Sequence, residues 1–458
     1  MDKRGLTILI LVASFAITSW APPVAGRELL LFDKPLTLLG YGTQQAAFGM
    51  HNSYDTEAGL QAAVMNLFGE ADYKILPELK FYASSRLTVD WAYQFNSNRD
   101  SWEDKGFPKS SNRFNIDAKY WQILSEATAT WTPGNFLFRV GKQIVSWGEV
   151  TAFRIMDQIN PVDFRRPFAD VEFENTIIPI WLLRAEYYPR ITTNWLQDLS
   201  IEFVFNPSMT QIPNQDVLPG NDAGGIWSPN VTFFFPPGPK GEARLGSNIN
   251  TIDKPDVWSP EGFSYAARVK GVVKDFIVSL NYYYGSYHSP IYILKPGLPP
   301  IINTASDGTP LFHFQQNGKF PIFRYVGLAA TRDIPFLKAT PLGGVAPVFR
   351  FETFYAFGST FTEFPNNVSF VKSDELRMGL GFDWKIKINA LNPKAYFAIS
   401  PEVIYRRLIN FDPNAAGGGY QYLDELANAL KRNNYMATIA ISTTYFTHSR
   451  DAKHSVGA

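Results

Sequence analysis

The chain has no cysteine in its 458 residues. That excludes disulfides, thiolate metal sites, a cysteine nucleophile and a lipoprotein anchor. It has no surplus of charge: 42 basic side chains meet 42 acidic ones, so the positive footprint that nucleic acid requires is missing and no nucleic-acid partner is expected. Beyond the N-terminus it has no apolar run of spanning length, and its mean hydropathy is −0.13, which excludes a helical membrane protein. Histidine is scarce. His51, His288, His313, His448 and His454 fall in expected loops, at strand ends or in the tail. No His-Glu-x-x-His pair, phosphate loop, dinucleotide turn or Gly-x-Ser-x-Gly elbow occurs. No metal, cofactor or catalytic residue is therefore expected, and the chain does not read as an enzyme.

Lys3 and Arg4 precede an apolar stretch from Gly5 to Ile17, and Val24-Ala25-Gly26 offers small residues for cleavage. That order is a secretory leader too short to cross a bilayer as a helix. The expected organisation is a signal peptide over 1–26, a barrel over 27–446 and a polar tail over 447–458.

Aromatics are plentiful, and they alternate. From Phe81 to Phe95 one face reads Phe, Ala, Ser, Leu, Val, Trp, Tyr, Phe, while the other carries Arg86 and Asp90 among small polar residues. The run is much longer than the ~5–6 residues of an ordinary soluble strand. It suits a tilted membrane strand with one face on lipid and one on a wet lumen. Similar segments lie near 36–50, 60–74, 78–95, 119–132, 135–147, 174–188, 198–206, 261–273, 275–287, 321–332, 346–358, 373–388, 394–407 and 434–446. The reading is an all-β transmembrane antiparallel barrel of about 14 strands, within a range of about 12–18, with long loops at one end and short turns at the other. Leu423 to Arg432 reads as one short helix in the last long loop.

Alternation turns a set of charges inward: Arg86, Asp90, Arg139, Gln143, Arg184, Glu186, Glu202, Arg268, Lys270, Arg350, Glu352, Arg377, Asp383, Lys385, Glu402 and Arg406. Either they line a channel and set solute preference, or they pair across strands and fill the lumen. After Trp147 the loop 148–173 is dense in charge, with Glu149, Arg154, Asp157, Asp163, Arg165 and Arg166. It is either a constriction folded into the bore or a surface loop held by ion pairs. Gly141 permits a close backbone approach, Trp147 suits the headgroup level of an outer rim, and Pro161 with Asp163 supplies turn chemistry.

One segment carries a resemblance. Arg139-Val140-Gly141-Lys142-Gln143-Ile144-Val145-Ser146-Trp147-Gly148-Glu149, followed by Asn160-Pro161-Val162-Asp163, resembles a proteobacterial outer-membrane family with an R-x-G-(R/K)-Q…W-G-E element and a downstream N-P-x-D, and no assigned activity. More distantly it is similar to alginate-export-type barrels and porins for organic solutes. The resemblance covers residues 135–170 and implies the outer membrane of a Gram-negative bacterium. Lys142 stands where arginine is common, which keeps the charge and loses the bidentate fork.

Three functions stay open: a channel for a small or hydrophobic solute, a plugged scaffold that binds a periplasmic or extracellular partner, and a barrel enzyme acting on lipid. The expected partners are outer-membrane lipid, the barrel assembly machinery that reads an aromatic-ended last strand, a small solute and a periplasmic protein.

Overall fold

The computed structural model describes residues 25–49, 59–91, 115–117, 123–149, 154–162, 176–207, 232–234, 242–245, 249–256, 258–304, 308, 310–339, 345–363, 369–411, 422–423, 429–446 and 455–457. Fifteen strands follow one another as an antiparallel meander. They are β1 (Ala25–Leu31), β2 (Lys34–Gly49), β3 (Gly59–Leu76), β4 (Leu79–Asp90), β5 (Ala127–Trp131), β6 (Phe136–Gln143), β7 (Ile180–Tyr187) and β8 (Leu196–Asn206). β9 (Ser264–Val273), β10 (Phe276–Ser286), β11 (Ile322–Asp333), β12 (Val348–Glu363), β13 (Phe370–Ile386), β14 (Phe397–Leu408) and β15 (Asn433–Ser442) complete it.

All fourteen segments expected from alternation are strands; β1 is additional. It starts at Ala25, inside the expected leader boundary, and folds back on β2 through Phe32 and Asp33, both at positive φ. Turns such as 32–33, 77–78, 132–135 and 274–275 close one end, where the middling connection 334–347 also lies, and the long connections 207–263, 287–321 and 409–432 leave from the other. Loops 207–263 and 287–321 meet there in two small sheets, in which Arg244 pairs with Leu311 and Asn250 with Gln316.

The alternating faces are real. On β8, Glu202, Val204 and Asn206 are buried while Ile201 and Phe203 are 44% and 46% exposed. On β12, Arg350, Glu352, Phe354 and Ala356 are buried and the residues between them are not. The exposed face is an aromatic belt in which Trp131, Phe136, Phe138 and Tyr187 stack with near-parallel rings along β5–β7, with ring centroids 4.8–5.9 Å apart. Such rings meet acyl chains on a transmembrane wall.

The sheet curls. One apolar cluster joins Ile180 and Leu182 of β7 to Ile404 of β14, seven strands away, which in a flat sheet would be about 34 Å at ~4.8 Å per strand. Among the described residues, however, β15 does not pair with β1 or β2, so the cylinder expected from the pattern is not closed. The β1 hairpin lies on the free edge of β2, and Tyr435, Ile439 and Ile441 of β15 stay 57–72% exposed. Two further expectations change. Leu423 and Ala429–Leu430 belong to a short hairpin, Tyr422–Leu423 with Ala429–Leu430, in place of a helix. The last expected strand splits at Thr443, and Thr444–Phe446 pairs with Ser455–Gly457 of the tail. Residues 1–24 lie outside the described residues.

Candidate functional site

The segment after β6 turns into the concavity of the sheet and runs along its inner face as a strap, described over residues 144–149 and 154–162. Gly141 makes the departure possible. Its φ is +136°, and a Cβ there would stand 2.1 Å from the Ala127 carbonyl oxygen, so no other residue fits this approach of β6 to β5.

Two side chains fold the strap onto itself. The Asp157 carboxylate accepts from the backbone N–H groups of Trp147 and Gly148 (2.7 Å for Gly148) and from Ser146 Oγ at 3.0 Å. Gly148 has no room for a side chain, since a Cβ would lie 2.5 Å from Asp157 Oδ2. Asn160 Oδ1 accepts from Val145 N at 2.8 Å, and its Nδ2 donates to the Gln143 and Ile178 carbonyls at 3.0 Å each. Pro161 follows with its carbonyl on Ile178 N at 2.8 Å. One asparagine thus joins the exit from β6 to the approach to β7.

The far side of the strap is tied to the wall. Trp147 Nε1 donates to Glu202 Oε2 of β8 at 3.0 Å, and the Arg268 guanidinium of β9 lies 5.2 Å over its ring. The Glu149 N–H donates to Glu352 of β12, whose other oxygen accepts from Met156 N at 3.2 Å; Arg350 donates to the Glu149 carbonyl. Tyr325 of β11 donates to the Met156 carbonyl at 2.8 Å, and Met156 sits on Gly327. Going from β6 to β12 along the wall takes about 29 Å at ~4.8 Å per strand. Six residues from Gln143 to Glu149 span at most ~20 Å. The strap therefore cuts a chord across the curved sheet.

Many of the charges expected inside lie on the inner face and pair, whereas Lys385 is exposed. Glu202 binds Arg184 and Arg268, each at 2.7 Å. Arg350 meets Asp383 at 2.7 Å and Glu402 at 3.4 Å. Arg377 meets Glu375, which also holds Arg406 at 2.6 Å, and Arg377 lies 5.3 Å over the Phe354 ring. Arg139 donates to Thr130 Oγ1 at 2.9 Å, Gln143 reaches the Leu182 carbonyl at 3.2 Å, and Arg86 lies 5.9 Å over Phe68. Arg154 donates to the Asn160 carbonyl at 3.0 Å. The strap thus gathers Glu149, Arg154, Asp157, Arg350, Glu352 and Arg268, while Arg86 and Arg377 stand apart from it. Asp163, Arg165, Arg166 and the Asp90 side chain lie outside the described residues.

Trp147 corrects an expectation: it is 2% exposed and inside the curl, not at a lipid-facing rim, because its indole N–H finds the buried Glu202. The reading of the residues missed Glu375 and Tyr325. Glu375 shares the inward parity of Arg377 two residues on, a signal that was available. Tyr325 had none, since its partner is a main-chain carbonyl 169 residues away. His288, set aside as a loop residue, is partly buried beside the strap. Burial and the Arg154 charge push its pKa down to about 3, against a hydrogen bond to the Asn160 backbone that favours the charged form.

Residues 51–443 match the family described as Protein of unknown function (DUF1302). A search of curated proteins finds no match. Among solved structures, Salmonella typhi OmpF in complex with daunomycin is 10% identical, over 92% of this chain and 89% of that one, with a TM-score of 0.38. The outer-membrane channel DcaP of Acinetobacter baumannii is 10% identical over 95% and 86%, with a TM-score of 0.36. The outer-membrane protein OmpT of Vibrio cholerae is 9% identical over 89% and 99%, with a TM-score of 0.33. At such scores the likeness carries no functional argument.

Proposed function

The chain belongs to the DUF1302 family, and we propose that it is an outer-membrane channel that passes a small solute between the strap and the opposite wall of the barrel. Its greasy aromatic outer face places it in lipid, and the connection pattern gives the two ends of the wall different lengths of loop, as in outer-membrane barrels. The strap carries the reading: a segment that cuts a chord across the lumen, fixed at both sides by hydrogen bonds, narrows the bore. The charges it touches, Arg268, Arg350 and Glu352, anchor the strap and so set the width of the passage, with no covalent chemistry.

Single-channel recording in planar bilayers tests this. The full-length protein is expected to give discrete conductance steps, and a variant lacking residues 150–170 larger ones. Unchanged steps in the variant reject the constriction. Complete absence of steps in folded wild-type protein favours the plugged-scaffold reading, which the apolar cluster under the strap supports: Ile155, Met156 and Trp147 are each 0–2% exposed. Release of fatty acid from phospholipid would move the reading to a lipid enzyme.

A further inference from the structure

The outer face of the wall is not evenly covered. One outward row across β3–β7 reads Ala71, Ala83, Ala127, Lys142 and Trp181 in register. The next row toward the long loops sets Gly69 beside Ser85. Among the described residues, a Cβ on Gly69 would have nothing within 4 Å. The next row toward the turns carries Tyr73, Phe81, Ala129 and Val140. Small side chains thus run beside large ones, and the wall is hollowed there into a cavity of about 500 Å³. Phe81, Val140 and Trp181 border it and are 41–50% exposed, so it opens onto lipid and not into the curl.

The polar atoms around this hollow are engaged elsewhere. Tyr73 donates to the Leu31 carbonyl at 2.8 Å, Ser85 Oγ to the Ile123 carbonyl at 2.6 Å, and the Lys142 ammonium to the Leu124 carbonyl. In a bilayer, apolar surface gains nothing by leaving water, so an occupant is selected by packing contact and by polar groups it can satisfy. With those polar groups spent, contact alone selects. A hollow left empty forfeits the dispersion contacts of its whole lining.

We propose that this hollow holds one acyl chain of a phospholipid, which stays with the barrel as a fixed lipid. A chain lying there touches protein on its floor and along its sides, whereas on the flat belt of stacked rings it touches one side only. The volume lies within the ~300–1,000 Å³ usual for small-molecule sites. Depth fits as well. Phe81 and Ala83 are the third and fifth residues of β4 after its turn, which puts them about 7–14 Å above the turn at ~3.4 Å per residue and a tilt of ~35–45°. That is the turn-side half of an apolar band about 25 Å tall. In an outer-membrane barrel the short turns are periplasmic, and the leaflet on that side is made of phospholipid. Phe81 and Trp181 project at the border of the hollow, which admits a thin flexible chain more readily than the broad face of a second barrel.

Native mass spectrometry of the full-length protein, released from nanodiscs of palmitoyl-oleoyl phosphatidylethanolamine, tests this without requiring conduction. Wild type is expected to keep one phospholipid after collisional activation has stripped the others. Gly69→Leu and Ala83→Leu fill the hollow from the outer face, and each should lower the retained fraction about tenfold. Ala330→Leu, on the outer face of β11, should leave it unchanged. Folded wild type that keeps no lipid overturns the site, and so does a retained fraction that both filling variants leave as it was. A wild-type oligomer that both variants reduce to monomers, with retained lipid unaltered, gives the hollow to a second copy of the chain instead. Should neither variant fold, wild type still decides: a phosphatidylethanolamine carrying a diazirine on its chain is expected to label β3–β5 above every other wall segment, and even labelling around the wall overturns the site.

Discussion

The inner wall from β2 to β5 and the inner wall from β7 to β14 are built differently. On the first, the most buried inward side chains are neutral: Gln45, Asn66, Ser84, Thr88, Thr128 and Thr130, with Thr88 donating to Asn66 at 2.6 Å. On the second, ionic side chains join the neutral ones: Glu186, Glu202, Arg350, Glu352, Glu375, Glu402 and Arg406. The strap lies over the second wall and contacts Glu202, Arg268, Arg350 and Glu352 directly. One group of charges, around Glu202, Arg350 and Glu352, lies under the strap, and a second, Glu375 with Arg377 and Arg406, pairs apart from it. Under cover an ion is costly unless every oxygen and N–H is engaged, so these charges are structural anchors. On the neutral wall hydrogen bonds such as Thr88 to Asn66 replace ion pairs.

The largest effect should come from breaking the ionic wall. Glu202→Gln leaves Arg184 and Arg268 without their shared carboxylate and should cost about 3–5 kcal/mol, read by urea unfolding in detergent. A cost below that of Asn66→Ala on the neutral wall would erase the difference between the two. Next comes the strap. Asp157→Ala strips three donors of their acceptor and should destabilise by about 2–3 kcal/mol, while conductance rises because the strap no longer holds its fold. A conductance equal to wild type would place the narrowing elsewhere. On the neutral wall, Thr88→Val removes one hydrogen bond and should cost about 1 kcal/mol with little change in conductance.

The smallest effect is the response to acid. His288 is neutral in the fold, with its pKa held at about 3, whereas in an unfolded chain it titrates near ~6.5. A depressed value means that stability is intact above the unfolded pKa and declines as pH falls from there toward the folded one. The thermal midpoint should therefore drop between pH 7.5 and pH 5 by more in wild type than in His288→Gln. Equal slopes would show that this imidazole does not take part.

Much of this was legible in the order of residues. The inward parity of Glu202, Arg268, Arg350, Glu352, Glu402 and Arg406 follows from alternation alone, because a strand side chain has only two directions. Gly141 and the charge density after Trp147 marked where the chain leaves the wall. Partnership was not legible. Alternation fixes a face and leaves open whether Glu202 meets Arg184, Arg268 or a tryptophan from a loop, since that depends on how the sheet curls and how far the strap reaches. Trp147 was misplaced for this reason: an aromatic at a strand end suits either a membrane rim or a buried acid, and only the position of Glu202 distinguishes them. β1 was missed because Ala25 and Gly26 also satisfy the pattern of a leader cleavage site.

The absence of cysteine permits a direct test of the strap itself. Met156 packs on Gly327 so closely that a Cβ there would lie 2.6 Å from the Met156 sulfur. With cysteines at positions 156 and 327 and mild oxidation of the folded protein in lipid, the strap lying across the inner wall predicts an intramolecular cross-link that closes a loop of about 170 residues, visible as a mobility shift reversed by reductant. Two thiols that stay free and react fully with a membrane-impermeant maleimide would contradict it.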